Sequence, residues 1–220
     1  MSDDSTNHAM TKEAPSLADF VSQRIGYIQN RYLPIATRPS VAGVLASLRH
    51  AVGNPVGADL GVWLFEFTDF PKRFSGYGDK PSTAEQAAHL AFTLYAVHQQ
   101  SQSIRMHKSG REYGLGQAVA RLNRQQRDAG ANDPMGKLPS RFAALGTATD
   151  FDEISHYARQ IITQLRSADQ PIPLDYGRLA TQFDKLLHPS QAAGVRLAWG
   201  REFAGFRDDD TTSTTKQKEQ

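Results

Sequence analysis

The chain has 220 residues, 39% of them apolar, with seven histidines, no cysteine and a formal charge of +2. That is enough apolar surface for one large or two small domains and too much for wholesale disorder. The missing cysteine excludes disulfide scaffolds, cysteine-ligated zinc, iron–sulfur clusters and thiol nucleophiles, and fits a reducing cytoplasm. Met1 to Ala14 is polar and acidic, and no run approaches about 18 apolar residues, so neither secretion nor a membrane span is expected.

Residues 1–15 and 207–220 are rich in Asp, Ser, Thr, Lys and Gln without apolar periodicity and are expected to be disordered tails. Between them apolar residues recur at helical spacing and strand-type alternation is nearly absent, so the body is predicted to be all-α, with about eight helices. The first helix starts at Ser16, with Asp19 completing a capping box, and buries Leu17, Phe20, Val21, Ile25 and Ile28 until Pro34 stops it. Ser40 is expected to cap a second helix, with Val41, Val44, Leu45 and Leu48 inward, which Gly53-Asn54-Pro55 ends. A short third helix follows at Leu60 to Phe67.

Ser82-Thr83-Ala84-Glu85 is a second capping box and opens a long helix whose predicted stripe is Ala87, Leu90, Ala91, Leu94 and Val97. Another helix lies within Gly110 to Arg127, with Leu115, Ala118, Val119 and Leu122 inward, and Gly130 to Pro139 is expected to break it. Asp150 with Glu153 opens the next, through Ile154, Ala158, Ile161 and Leu165. After Pro171 and Pro173 come Tyr176, Leu179, Phe183, Leu186 and Leu187, and Pro189-Ser190 starts a last helix through Val195, Leu197, Trp199 and Phe203. The Gly/Pro-rich stretch 130–139 is the expected seam between two packed helical subdomains, 16–130 and 131–206.

Few residues point to catalysis. His98 and His107 have no carboxylate between them, no His-x-x-x-His pair occurs, and no serine sits in a Gly-x-Ser-x-Gly elbow, so neither a metal centre nor a nucleophile is expected. Gly76-Tyr77-Gly78-Asp79-Lys80 lacks the strand and the Gly-Lys-Ser/Thr order of a phosphate loop and reads as a surface turn. Gly114 and Gly116, just before a helix, read as relief of backbone strain or as close packing.

Charge is more informative. Residues 1–19 carry −3 and residues 207–220 carry −1, which leaves +6 on the body between them. Residues 101–141 hold eight basic groups against three acidic ones, Glu112, Asp128 and Asp133. Arg105, His107, Lys108 and Arg111 cluster in a predicted loop, and Arg121, Arg124 and Gln125 share one face of the helix after it. Guanidinium forks match phosphate oxygens and keep their charge, so the block suggests a polyanionic partner, with an ordinary solvated face as the alternative.

The segments Leu94 to Ser101, Met106-His107, Leu115-Gly116-Gln117-Ala118, Arg141-Phe142-Ala143-Ala144-Leu145, Pro173 to Leu179 and Val195 to Phe203 together resemble the CasB family, the small subunit of the type I-E CRISPR surveillance complex, Cascade. The resemblance spans about residues 17–206. It implies an all-α protein of two helical subdomains without a catalytic centre or cofactor, present as two copies stacked head to tail beside other Cascade subunits. It further implies basic side chains that hold guide RNA and opened target DNA by their backbones and so stabilise the R-loop in antiviral defence.

On that resemblance phosphate contact falls on Arg49, Arg105, Lys108, Arg111, Arg121, Arg124, Lys137 and Arg141, with His107, Arg178 and Arg201 as further candidates. Arg178 and Arg201 have an alternative role in bridges to Asp175 and Glu202. Two other functions compete: a helical nuclease using His98 or His107 as acid–base, and a protein–protein adaptor that makes no nucleic-acid contact.

Overall fold

In the computed structural model, which describes residues 14–130 and 137–205, nine α-helices are present among the described residues. They are α1 (Leu17–Tyr32), α2 (Pro39–His50), α3 (Leu60–Phe67), α4 (Thr83–Gln99), α5 (Leu115–Asp128), α6 (Lys137–Thr147), α7 (Phe151–Arg166), α8 (Tyr176–Leu186) and α9 (Pro189–Ala204). Single 3-10 turns lie at Lys72–Phe74 and Arg111–Tyr113, and the described residues contain no strand. Residues 1–13 and 207–220 of the expected tails, residue 206 and the centre of the expected seam, 131–136, lie outside the described residues. Ala14 and Pro15, expected in the tail, are held: Arg73 donates to their carbonyls at 2.9 and 2.7 Å.

Local chemistry sets most of the helix starts. Ser16 accepts from the Asp19 amide at 3.1 Å while Asp19 reaches back to the Ser16 amide, and Ser82 with Glu85 repeats the device at α4. Asp59, Asp150 and Asp175 cap α3, α7 and α8. Helix α2 departs from expectation: Ser40 is not its cap but donates to the Thr37 carbonyl at 2.7 Å. Pro39 occupies the first turn instead, where its fixed φ suits a helix and its missing N–H costs nothing.

Helix α6 is the ninth, in part of the stretch expected to be a break. Pro139 stands at its third residue, early enough that no intrahelical donor is lost, so the proline marks a start instead of an end.

Helix α4 is the centre of the molecule. Helices α1, α2, α7 and α8 pack round it, and its buried set reaches well beyond the expected stripe to include Ala84, Ala88, Phe92, Tyr95 and Ala96. No Asp, Glu, Lys or Arg occurs between residues 86 and 104, the mark of a helix enclosed on all sides. Two of its polar members pair nearby: His89 Nδ1 lies 2.8 Å from Glu66 of α3, and Thr93 donates to the His89 carbonyl at 2.9 Å.

The remaining helices extend from this centre. α8 packs on α1, α4 and α9, α5 on α9, and α6 on α7. One apolar cluster therefore joins residues from both sides of 131–136. Of the two roles open to Gly116, close packing is the one present, because a Cβ there would strike the Trp199 carbonyl on α9. Val195 and Trp199 of α9 are buried, four residues apart, while Leu197, expected inward, is 54% exposed on the other side of the helix.

Candidate nucleic-acid interface

Two irregular segments lie side by side. One is the connector between α4 and α5; the other leads from Pro171 into α8. The Lys108 amide donates to the Leu174 carbonyl at 3.1 Å, Leu174 donates to Met106 at 2.9 Å, and Asp175 donates to Tyr113 at 2.9 Å.

Side chains from two helices and from the second segment pair with further backbone groups of the connector. Gln29 of α1 accepts from the His107 amide at 2.8 Å and donates to its carbonyl at 3.2 Å. Gln99, the last residue of α4, donates to the carbonyls of Gln102 and Ile104 at 3.1 and 2.9 Å and accepts from the Met106 amide at 3.1 Å. Asp175 takes the Gly110 amide on one oxygen and the first turn of α8 on the other, each at 3.0 Å. Gly110 itself has φ 141°, a conformation that suits glycine. An unpaired buried backbone group costs about 1–3 kcal/mol, so these pairings oppose displacement of the loop backbone.

Arg105, Lys108 and Arg111 are exposed along this pinned loop, whereas Met106 and His107 between them are buried. Arg105 donates to Asn30 Oδ1 of α1 at 2.8 Å, and the Lys108 ammonium lies 5.5 Å from the Tyr113 ring. Arg178 reaches the Arg111 carbonyl at 3.4 Å and pairs with Glu202, which also accepts the Gly116 amide at 3.1 Å. The bridging partners thus differ from those weighed in the sequence: Arg178 meets Glu202 instead of Asp175, and Arg201 stands exposed on α9.

On α5, Arg121 is half-buried and Arg124 exposed, with Arg124 3.8 Å from Asp128 in a solvent-facing pair worth little. Gln125 does not join a cationic face, because it bonds residue 170 by both its oxygen and its nitrogen. Lys137 and Arg141 stand four apart on α6, a spacing that places them on one helix face. Arg49, half-buried in the last turn of α2, belongs to a helix that packs on α1, α3 and α4.

The histidine readings are corrected. His98 is 0% exposed, and its Nδ1 and the Tyr176 hydroxyl share a hydrogen bond of 2.9 Å. Burial, reinforced by the charge of Arg166, pushes its pKa down to about 3. His107 is 6% exposed, its Nδ1 accepts from the Tyr176 amide at 3.2 Å, and burial lowers its pKa as well. Both rings are buried, and His107 supports the loop through these bonds. Among the described residues no cluster of three His, Asp or Glu could hold a metal ion.

Comparison with known proteins bears on this arrangement. The family described as CRISPR-associated protein Cse2 matches residues 44–203. The chain belongs to this family. The crystal structure of CasB from Thermobifida fusca is 36% identical, with a TM-score of 0.68 over 85% of this chain and 97% of that one. CasB from M. ruber and a Cse2-family CRISPR-associated protein from Thermus thermophilus share the fold at 20% identity and a TM-score of 0.54, over 83% and 84% of this chain and 93% and 98% of theirs. No curated protein matches. As a Cse2 protein the chain is a component of the type I-E CRISPR Cascade complex, alongside its other subunits. No helix among the described residues is long and apolar enough to cross a membrane.

The Cse2 chain's loop supports were not found in the sequence. Gln29 follows Ile28 in an apolar stripe and Gln99 ends an uncharged helix; an amide in such a place is the signal that a backbone needs a partner.

Proposed function

We propose that this Cse2 chain is a non-catalytic subunit of Cascade that holds guide RNA and opened target DNA by their phosphates, so that the R-loop persists. Exchange of a DNA duplex for an RNA–DNA hybrid is nearly balanced in base-pair energy, and a few backbone contacts tip it. The observation that carries the reading is the loop 101–114: its backbone is tied down by Gln29, Gln99 and Asp175 while Arg105, Lys108 and Arg111 face solvent. Preorganised cations lose little entropy when phosphate arrives. Arg121, Arg124, Lys137, Arg141 and Arg49 extend the cationic surface, and Arg201 adds to it from α9. Two copies stacked head to tail in the cytoplasmic complex would lengthen the track.

The test is a mobility-shift titration of the full chain on single-stranded DNA, duplex DNA and RNA with a chelator present. The expected result is intact, shifted probe whose log affinity falls with log salt by about 0.7 to 0.9 per phosphate neutralised. Salt-insensitive binding, or probe cleaved in the chelator, contradicts it.

A further inference from the structure

Three residues outside the assigned contacts gather beside Arg105. On α1, Tyr27, Asn30 and Arg31 stand at i, i+3 and i+4 and therefore share one face. The face lies off the buried stripe of Phe20, Val21, Ile25 and Ile28, so Tyr27 is 50% exposed. A single exposed aromatic is ordinary. This one carries the Arg31 guanidinium over its ring at 3.6 Å from the centroid, and Asn30 beside it holds Arg105 by the 2.8 Å bond. Arg31 also donates to the Tyr27 carbonyl at 3.4 Å, and the Arg31 carbonyl accepts from Thr37 at 2.8 Å, so the pair is fixed to the end of its helix. The Tyr113 ring near Lys108 repeats the pairing of aromatic and cation within the same loop.

We propose that Tyr27, backed by Arg31, is a stacking platform for an unpaired base of a single-stranded nucleic acid whose phosphate is held by Arg105. The inference rests on the backbone-binding function above and adds a base contact to it. An aromatic face takes any base, so the platform would not read sequence, and a duplex, whose bases are already stacked, would not use it. Arg31 polarises the ring from one side, and the exposed half of Tyr27 is what the base meets.

The experiment uses the full chain with three probes of one sequence, single-stranded DNA, single-stranded RNA and duplex DNA, each carrying a single 2-aminopurine. Tyr27→Leu keeps apolar bulk without a π-face, Tyr27→Phe keeps the face, and Arg105→Ala removes the neighbouring charge. On the single strands the 2-aminopurine is quenched by the unmodified protein and by Tyr27→Phe but not by Tyr27→Leu. Tyr27→Leu weakens binding by about five-fold or more and leaves the salt slope unchanged, because stacking releases no counterions. Arg105→Ala lowers the slope by about 0.7 to 0.9. Quenching on one single strand alone names DNA or RNA as the ligand. Steep salt-dependent binding with equal affinity and no quenching difference for Tyr27→Leu overturns the platform and leaves the backbone reading intact. Absence of binding by every probe at low salt overturns both.

Discussion

At pH 5 the fold will be about 2 kcal/mol less stable than at pH 7 through His98 alone. In the folded chain its pKa is pushed down to about 3 by burial, and the nearby charge of Arg166 adds to the shift. In the unfolded chain it returns to about 6.5. Below that value the unfolded state takes up a proton that the folded state refuses, so stability present at neutral pH is lost progressively between pH 6.5 and about 3. His107, also lowered by burial, acts in the same direction. The buried Glu66–His89 pair acts oppositely, since burial raises Glu66 and the carboxylate raises His89, and both favour the protonated forms as pH falls.

The His98 share is therefore read by difference. Replacing both buried partners, His98→Leu with Tyr176→Phe, removes the titrating ring without stranding the Tyr176 hydroxyl bonded to it. Urea midpoints at pH 7 and pH 5 should fall further apart in the unmodified chain than in the double variant, by about 2 kcal/mol after conversion. An equal fall in both would place the acid sensitivity elsewhere.

Gly177→Ala is expected to destabilise the protein by about 2 kcal/mol despite adding a better helix former. Gly177 lies in the first turn of α8 against the first turn of α1, and a Cβ there would collide with Ser22 Oγ and the Ala18 carbonyl. Ser22 can turn its hydroxyl away, but the Ala18 carbonyl belongs to a helix, so α1 and α8 must separate. The propensity gain is at most about 1 kcal/mol and does not offset that strain. Gly43→Ala on α2 is the control: nothing lies within 4 Å of its added Cβ. It should stabilise by about 0.5 to 1 kcal/mol. Thermal denaturation of both variants checks the pair, and equal shifts of one sign would contradict the close approach.

These features differ in how far the sequence discloses them. The starts of α1, α4 and α7 are legible because a capping box or an N-cap carboxylate acts within four residues of chain. The all-α architecture and the buried stripes of α1, α5 and α7 follow from periodicity for the same local reason. Helix α6 was not legible, because a proline such as Pro139 breaks a helix from its interior but is tolerated in its first turn. The loop cations were legible as charge, but what immobilises them was not: Gln29 and His107 are 78 positions apart and meet only through the tertiary fold. The same distance hid the fate of His98, whose partner Tyr176 is equally far along the chain.

The central claim is that a pinned cationic loop binds nucleic-acid backbone, and the slope of affinity against salt tests it most directly. Arg105→Ala, Lys108→Ala and Arg111→Ala are combined in one full-length variant, and mobility shifts on single-stranded DNA, duplex DNA and RNA are titrated from 50 to 200 mM salt, the range over which such contacts change affinity by orders of magnitude. The account predicts that the variant keeps its melting temperature, because all three side chains are exposed, while its log–log slope becomes shallower by about two to three. An unchanged slope in a folded variant would contradict it and move the work of these side chains to protein partners.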